Sequence, residues 1–504
     1  MANSLFRKKP LHVLLAELHG ENRLRRILGP VTLTSLGVGA IIGTGIFVLT
    51  GVAAHDKAGP SLMISFVVAG LACMFAAFCY AEFASMVPVA GSAYTYAYAT
   101  LGELFAWIIG WDLVLEYAVA SATVAHGWSH YFQDFLSIFK VYIPKVIGWA
   151  PFKFIPETGR MIPSGSWFDL PAIVITCIIT AILIRGIRQS AVFNTTMVIF
   201  KVVIVLFVII VGAFYINPKN WAPFAPFGWS GISFFGKTIL GKSVGGAPVG
   251  MLAGAAISFF AYIGFDSVST HAEEAKRPHK DVPIAIISSL LICTVLYILV
   301  AAVLTGMVPA DKIDINAPVS QAFKQVGLGW AQFLVSLGAL AGMTSVLLVM
   351  MLSQPRILLA IARDGLLPPS FFGAVHEKYR TPWKSTILTG AFVAVMAALL
   401  PLEILAELVN IGTLLAFVIV CAAVLIMRKT HPKAERPFRV PLYPITPILG
   451  ILLCLMLMFS LPAQNWLRLF AWLAVGIIIY FLYGKKHSTM EKMSAEDAVE
   501  KTGI

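Results

Sequence analysis

The sequence predicts an all-α integral membrane protein, and three observations carry that prediction. Of its 504 residues, 59% are hydrophobic and only 12% charged, where soluble domains average about 25% charged. Twelve apolar stretches reach the roughly 20 residues that a helix needs to cross a bilayer core. The basic residues are also shared unevenly between the connecting segments. With the N-terminus inside, and residues at stretch ends counted with the adjoining segment, 25 of the 37 Lys and Arg fall on the inner side, 11 on the outer side and one, Lys201, deep within a stretch. Cytoplasmic loops carry such an excess, so both termini are read as cytoplasmic and the protein as a multi-pass component of the cell membrane. The net charge of +12 is then an orientation signal. No soluble basic domain exists to bind nucleic acid, and that partner class is excluded.

The stretches cover 31–57, 61–87, 101–133, 169–187, 192–216, 248–275, 282–307, 327–353, 384–400, 402–428, 445–462 and 466–484. Ahead of them, residues 1–30 form a cytoplasmic segment. Leu11, Leu14, Leu15 and Leu18 mark one apolar face there, read as a helix on the membrane surface or as a disordered tail. Residues 31–216 hold the first five spans, 217–428 the next five, 429–485 two more, and 486–504 a cytoplasmic tail. All six cysteines (Cys73, Cys79, Cys177, Cys293, Cys421 and Cys454) lie inside spans, so no disulfide framework is expected.

The first and sixth spans are interrupted. The first contains Gly39–Phe47, "GAIIGTGIF", with three glycines and a threonine in seven of its residues. Glycine disfavours a helix interior by about 1 kcal/mol relative to alanine. The sixth runs apolar to about Phe260, meets Gly264 and turns charged in "FDSVSTHAEEAKRP". First and sixth are corresponding places in two groups of five. Five is odd, so the second group is inverted relative to the first. Paired interruptions in inverted halves mark the binding site of a secondary transporter. The alternative is a glycine-rich face for close helix packing.

A break at mid-membrane exposes backbone. N–H groups around Gly43, Thr44 and Gly45 would face a carboxylate. Carbonyls around Phe260, Ala261 and Ile263 would accept from an ammonium. Glycine lets the main chain approach the ligand. A ligand with both groups on one carbon, an α-amino acid, fits between them.

Charged residues inside the spans are the remaining candidates. Lys201 sits nine residues after Val192, roughly 14 Å into the fifth span at 1.5 Å per residue. A central lysine costs about 2.5–3.5 kcal/mol on insertion scales, so it must be paired, neutral or in a polar cavity. It is read as the group that loads and releases a proton, or as a permanent ammonium tied to the first span. Glu116 lies mid-way along the third span. It pairs with a cationic substrate side chain, holds a proton, or is a satisfied structural carboxyl. Asp112 lies one turn earlier on the same face. Asp266, Glu273, Glu274, Glu82 and Glu103 are read with Lys276 and Arg277 as inner-gate ion pairs, or as solvated helix ends. Gly338, Ala339, Ala341 and Gly342 allow the eighth span to pack closely on the first, with Met343 following. His126 and His130 stand four apart at the outer end of the third span, without an evident carboxylate partner. No metal site is assigned to them.

An embedded enzyme is the competing class. The chain has no HExxH, nucleophile elbow or phosphate loop, so no catalytic residue is assigned. A channel is disfavoured by the two matched breaks, which suit alternating access.

The motifs "GAIIGTGIF", "GSAYTYAYATLGEL" (Gly91–Leu104), "FDSVSTHAEEAKRPHKDVPIAI" (Phe265–Ile286) and "RDGLLPP" (Arg363–Pro369) are dispersed over most of the chain. Together they resemble the amino acid–polyamine–organocation superfamily and, within it, the cationic amino acid transporter family in a twelve-helix, prokaryotic form. The resemblance implies a leucine-transporter-like five-plus-five inverted repeat with two additional C-terminal helices. It implies backbone substrate contacts at Ile41, Gly43, Thr44, Gly45, Phe260, Ala261 and Ile263. It also implies a function for Glu116, and a lysine at Lys201 that replaces a sodium ion between helices. The eighth helix would line the side-chain pocket, where Met343 would shorten it or would merely pack. The implied activity is proton-coupled uptake of cationic or small neutral α-amino acids, with the proton as coupling ion and no sodium site or other cofactor. Proton-independent exchange and polyamine transport are the alternatives. The substrate, the lipid bilayer and no nucleic acid are the expected partners, and an accessory membrane subunit is not legible.

Overall fold

The structure, a computed structural model, describes residues 6–9, 28–87, 92–155, 160–186, 191–234, 237–272, 275–379 and 381–490. The surface helix expected within Leu11–Leu28, apart from Leu28 itself, lies outside the described residues. So do Glu273, Glu274 and the tail from residue 491 onward.

The chain folds into helices α1 (Pro30–Ile41), α2 (Leu62–Met86), α3 (Ser92–Thr100), α4 (Glu103–Ile138), α5 (Leu170–Arg185), α6 (Ala191–Ala213) and α7 (Met251–Ser258). These are followed by α8 (Pro278–Met307), α9 (Pro318–Gln325), α10 (Gly329–Arg363), α11 (Trp383–Leu399), α12 (Leu402–Thr430), α13 (Ile445–Phe459) and α14 (Ala463–Ile479). Among the described residues, eight helical runs are long and apolar enough to cross a membrane. Four shorter apolar helices, α1, α5, α11 and α13, accompany them. Each predicted apolar stretch coincides with helix. The largest discrepancy is α10, which continues to Arg363 rather than ending at 353. Hydropathy marks where lipid ends, and the backbone ladder runs on beyond that point. Three antiparallel hairpins decorate the connections: Phe152–Ile155 with Arg160–Pro163, Ile232–Phe234 with Lys237–Leu240, and Lys242–Val244 with Ala247–Val249.

Helix ends follow local chemistry. Pro30 opens α1, where its missing N–H would have had no partner. Asp169 caps α5 by accepting from the Ala172 N–H at 3.1 Å. Around these ends the bundle is organised by α4, which lies along α10 and α12, and by α8, which lies along α2 and α1. Lipid tails are as apolar as leucine, so packing rather than water exclusion holds such helices together. Small residues therefore sit where backbones approach. A Cβ on Gly338 would come within 2.6 Å of Ile204 on α6. One on Gly342 would meet Phe47 at 3.5 Å and Lys201 at 3.7 Å. The small face of α10 thus serves α6 as well as the first span, which widens the sequence-based expectation.

Residues near the two termini, 7–9 and 489, meet at one end of the bundle. Lys9 pairs with Asp364 at 3.1 Å, just past α10. The Glu103 N–H donates to the Arg7 carbonyl, and the Thr489 N–H to that of Asp364. Here the expected gate pairs are corrected. Glu82 is held by Arg428 and Arg436 and by the Val440 N–H, not by Lys276 or Arg277. Glu103 accepts from the hydroxyls of Tyr98, Tyr480 and Ser488. Arg277 pairs with Asp281 four residues on, while the Lys276 N–H donates to Leu28. Glu82 found the planar guanidinium fork of Arg428, in the last turn of α12, and a fork satisfies a carboxylate better than a lone ammonium. At the opposite end Asp134 accepts from Ser320, Gln321, Gln332 and Ser336, which joins α4 to α9 and α10.

Glu82→Ala leaves Arg436 and part of Arg428 buried without their carboxylate. Removing one partner of a buried pair costs about 3–5 kcal/mol. The variant should unfold at a clearly lower temperature in detergent by intrinsic fluorescence. An unchanged midpoint would show that the pair carries no stability.

Candidate functional site

Both interruptions anticipated in the sequence are present, and they lie against each other. Helix α1 ends at Ile41, and Ile42 is extended (φ −73°, ψ 102°). Helical turns resume at Thr44 and run through Gly45–Leu49, Thr50–Ala53 and Ala54–Ala58. The partner break follows α7, where a tighter turn spans Phe259–Tyr262 and Ile263 is extended. Gly264 then takes φ +116°, a conformation that side chains resist. Its absent Cβ would lie 2.9 Å from the Ala40 carbonyl oxygen.

The glycines do something other than admit a ligand. A Cβ on Gly45 would lie 2.3 Å from the Ala261 Cα. One on Gly43 would lie 2.9 Å from Val346 of α10. Gly45 lets one break touch the other, backbone against backbone, and Gly43 lets α10 close on the first. The packing role and the break therefore coexist in one motif.

Three side chains satisfy the carbonyls that the breaks release. The Lys201 ammonium, fully buried, donates to Gly39 at 2.7 Å and to Ile42 at 3.4 Å. The Tyr297 hydroxyl of α8 reaches the Ile41 carbonyl at 2.9 Å and that of Ala261 at 2.8 Å. Asn410 of α12 donates to Ala256 at 2.8 Å and Ile257 at 3.3 Å. The Phe260 carbonyl accepts from the Ile263 N–H at 3.1 Å. Two of the three carbonyls expected to be free on the second break thus already have a partner: Phe260 because the unwound chain tightens on itself, and Ala261 because Tyr297 reaches it from α8. Each keeps a second lone pair.

Two buried hydroxyls at the breaks have no hydrogen-bond partner: Thr44 Oγ1 on the first and Ser258 Oγ on the second. Buried polar groups are normally paired, so each of these two hydroxyls is a candidate for contact with a polar ligand. Helix starts also leave their first N–H groups unbonded, and the turns beginning at Thr44 and Gly45 present that end here.

The other candidates are placed as follows. Glu116 is buried on α4 beside the Thr413 hydroxyl, with Asp112 and Asp266 as acidic neighbours. Asp266 accepts from Tyr117 at 2.7 Å. Both Asp112 oxygens are buried without a partner, close to Gly412 of α12. Glu116 therefore stands among carboxyls rather than beside a cation. Met343 is fully buried on α10, three residues before Val346. Tyr297 and Asn410 were not anticipated. A tyrosine or asparagine inside a span gives no charge signal, although each is a polar group that needs a partner in lipid.

Paired breaks, lined by main chain and bridged by the Tyr297 hydroxyl, with a buried lysine on the first, are the architecture of a broken-helix solute carrier. The comparisons give the family. Residues 28–483 match the family model for amino acid permease, and the chain belongs to that family within the amino acid–polyamine–organocation superfamily. It is 48% identical to the methylthioribose transporter of Bacillus subtilis over 97% of this chain and 100% of the relative. It is 47% identical to the branched-chain amino acid permease BcaP of the same organism, over 98% and 100%. A vacuolar cationic amino acid transporter 4 from Arabidopsis thaliana is 37% identical over 85% of this chain and 68% of its own. Membership makes the protein a multi-pass membrane permease rather than a member of an enzyme family.

Gly45→Ala forces a methyl into Ala261, and overpacking of this kind costs about 1–3 kcal/mol. Gly329→Ala adds the same methyl at a position with nothing within 4 Å and should stay within about 0.5 kcal/mol. Thermal unfolding of the two variants compares them directly. Equal midpoints would mean that the breaks are not in contact.

Proposed function

We propose that the protein is a secondary transporter that takes up α-amino acids by alternating access, with the proton as coupling ion. The observation that carries this reading is the meeting of the two breaks, with Thr44 and Ser258 hydroxyls unpartnered beside them. On this reading a ligand carboxylate sits on the N–H groups of Gly43, Thr44 and Gly45, a helix start that favours anions. Its ammonium is taken by the remaining acceptor capacity of Ile41, Phe260, Ala261 and Ile263. Side-chain selection falls to Glu116 and Met343. The five-plus-five inverted repeat, two further helices, cytoplasmic termini and location in the cell membrane belong to the same proposal. The meeting of Lys9, Asp364 and Thr489 at one end supports the shared side of the termini.

A second reading has its own support. The methylthioribose transporter is named for a thio-sugar, which has hydroxyls but no carboxylate or ammonium. Two orphaned hydroxyls also suit a hydroxyl-rich ligand. One plate separates the readings: thermal stabilisation against the twenty amino acids, their methyl esters, decarboxylated analogues, polyamines and methylthioribose. The amino acid proposal expects stabilisation by at least one amino acid and none by its methyl ester or amine. Equal stabilisation by arginine and agmatine, or stabilisation by methylthioribose alone, would overturn it.

Lys201 is the proposed coupling group. Its ammonium ties α6 to the Gly39 and Ile42 carbonyls. Loss of the proton weakens that tie and frees the first helix to move, while the charge occupies the place a sodium ion would fill. Lys201→Ala should abolish uptake driven by an inward proton gradient in proteoliposomes. Lys201→Arg, which cannot release its proton, should fail as well. Accumulation by Lys201→Ala under a pH gradient alone would move the proton path to Glu116. Loss of accumulation only when sodium is removed would end the proton reading.

A further inference from the structure

His126 and His130, four apart on α4, face a third group that the sequence did not reveal. Asp169, the cap of α5, brings its carboxylate to both imidazoles, and one ligand atom from each residue lies within 4.8 Å of the others. The Asp169 Oδ2 oxygen is 3.4 Å from His126 Nδ1. We propose that these three residues form a transition-metal site, of zinc type, at the junction of α4, α5 and α11.

Each residue is set up as a ligand. His126 Nδ1 lies 3.1 Å from the Ala397 carbonyl of α11. That carbonyl fixes the orientation of the ring, as second partners do for metal-binding histidines. His130 is 7% exposed, and neither ring nitrogen has a hydrogen-bond partner. Its ring is fixed between His126, with centroids 4.5 Å apart, and Trp149 at 4.7 Å. Asp169 is fully buried. Its Oδ1 accepts from Ser129 at 2.6 Å and from the Ala172 N–H at 3.1 Å, while Oδ2 has no hydrogen bond. A buried imidazole and a buried carboxylate oxygen without partners are costly unless something bridges them.

The donor set selects the metal. Two imidazoles and one carboxylate suit zinc, copper or nickel, whereas magnesium and calcium prefer oxygen alone. Three protein ligands leave a fourth tetrahedral position. Both histidines line a cavity of about 400 Å³ that can supply a water or an anion there. Glu403 lines the same cavity, and Lys145 and Lys153 line it as well and favour an anionic fourth ligand. The Asp169 N–H also donates to Ala398 at 3.2 Å. A bound metal would therefore clamp three helices that already meet, and it would register as stability.

The test uses full-length protein with its affinity tag removed and metals stripped by chelator. Zinc chloride should raise the unfolding midpoint, and magnesium chloride should not. Cobalt(II) should give the intense visible bands of a four-coordinate nitrogen and oxygen site, displaced by zinc. His130→Gln and Asp169→Asn, which keeps a capping oxygen, should each weaken cobalt binding at least about tenfold. Wild-type protein without such bands overturns the site, as does wild-type affinity in His130→Gln. If His130→Gln does not fold, Asp169→Asn decides by the same criterion.

Discussion

Main-chain groups in the middle of a bilayer have no water to turn to, and that constraint governs this structure. Breaking two helices at that depth frees carbonyls and N–H groups that the protein itself must satisfy. The carbonyls draw in Lys201 from α6, Tyr297 from α8 and Asn410 from α12. Each belongs to a helix that would otherwise have no reason to carry a polar group at that point. The placement of three helices around the breaks thus follows from hydrogen-bond accounting. Close approach at Gly45 and Gly264 follows from it too, since the groups must come within bonding distance of their partners.

The charges at the two ends of the bundle obey a different logic. Asp134 and Glu82 are each surrounded by several donors, and both join elements far apart in the chain. Acceptor-only carboxylates with full donor sets hold connections in a fixed register. By contrast Asp112 and Glu116 lie within the bundle with few donors between them. Saturated carboxylates fasten the ends, and under-saturated ones are kept in the interior.

What the sequence disclosed followed from local pattern. Apolar length located most helices to within about five residues, though α10 runs on to Arg363, and glycine inside an apolar run located the first break around Gly43. The depth of Lys201 implied a partner, and its ammonium meets the Gly39 carbonyl. What it did not disclose depends on distance. The Arg428 that meets Glu82 is 346 residues away in sequence, so proximity to Lys276 and Arg277 was a poor guide. The same limit hid Asp169 from His126 and His130. It also hid Tyr297, whose value comes only from two carbonyls on two other helices. Glycine pattern, finally, tells that backbone approaches something but not what, and here the neighbour of Gly45 is Ala261 rather than open space for a ligand.

The Tyr297 hydroxyl has one proton and two carbonyls in reach, at 2.9 and 2.8 Å. It can bond fully to either at a given instant. The two acceptors are chemically alike, so the proton's choice between them is nearly degenerate in energy. If the breaks part, the phenol can stay with one and release the other, and a single shared bond is exchanged rather than two separate ones lost. A joint of this kind resists disorder without resisting displacement, as a bearing does. The contact between the two breaks thus rests on one proton shared between two acceptors.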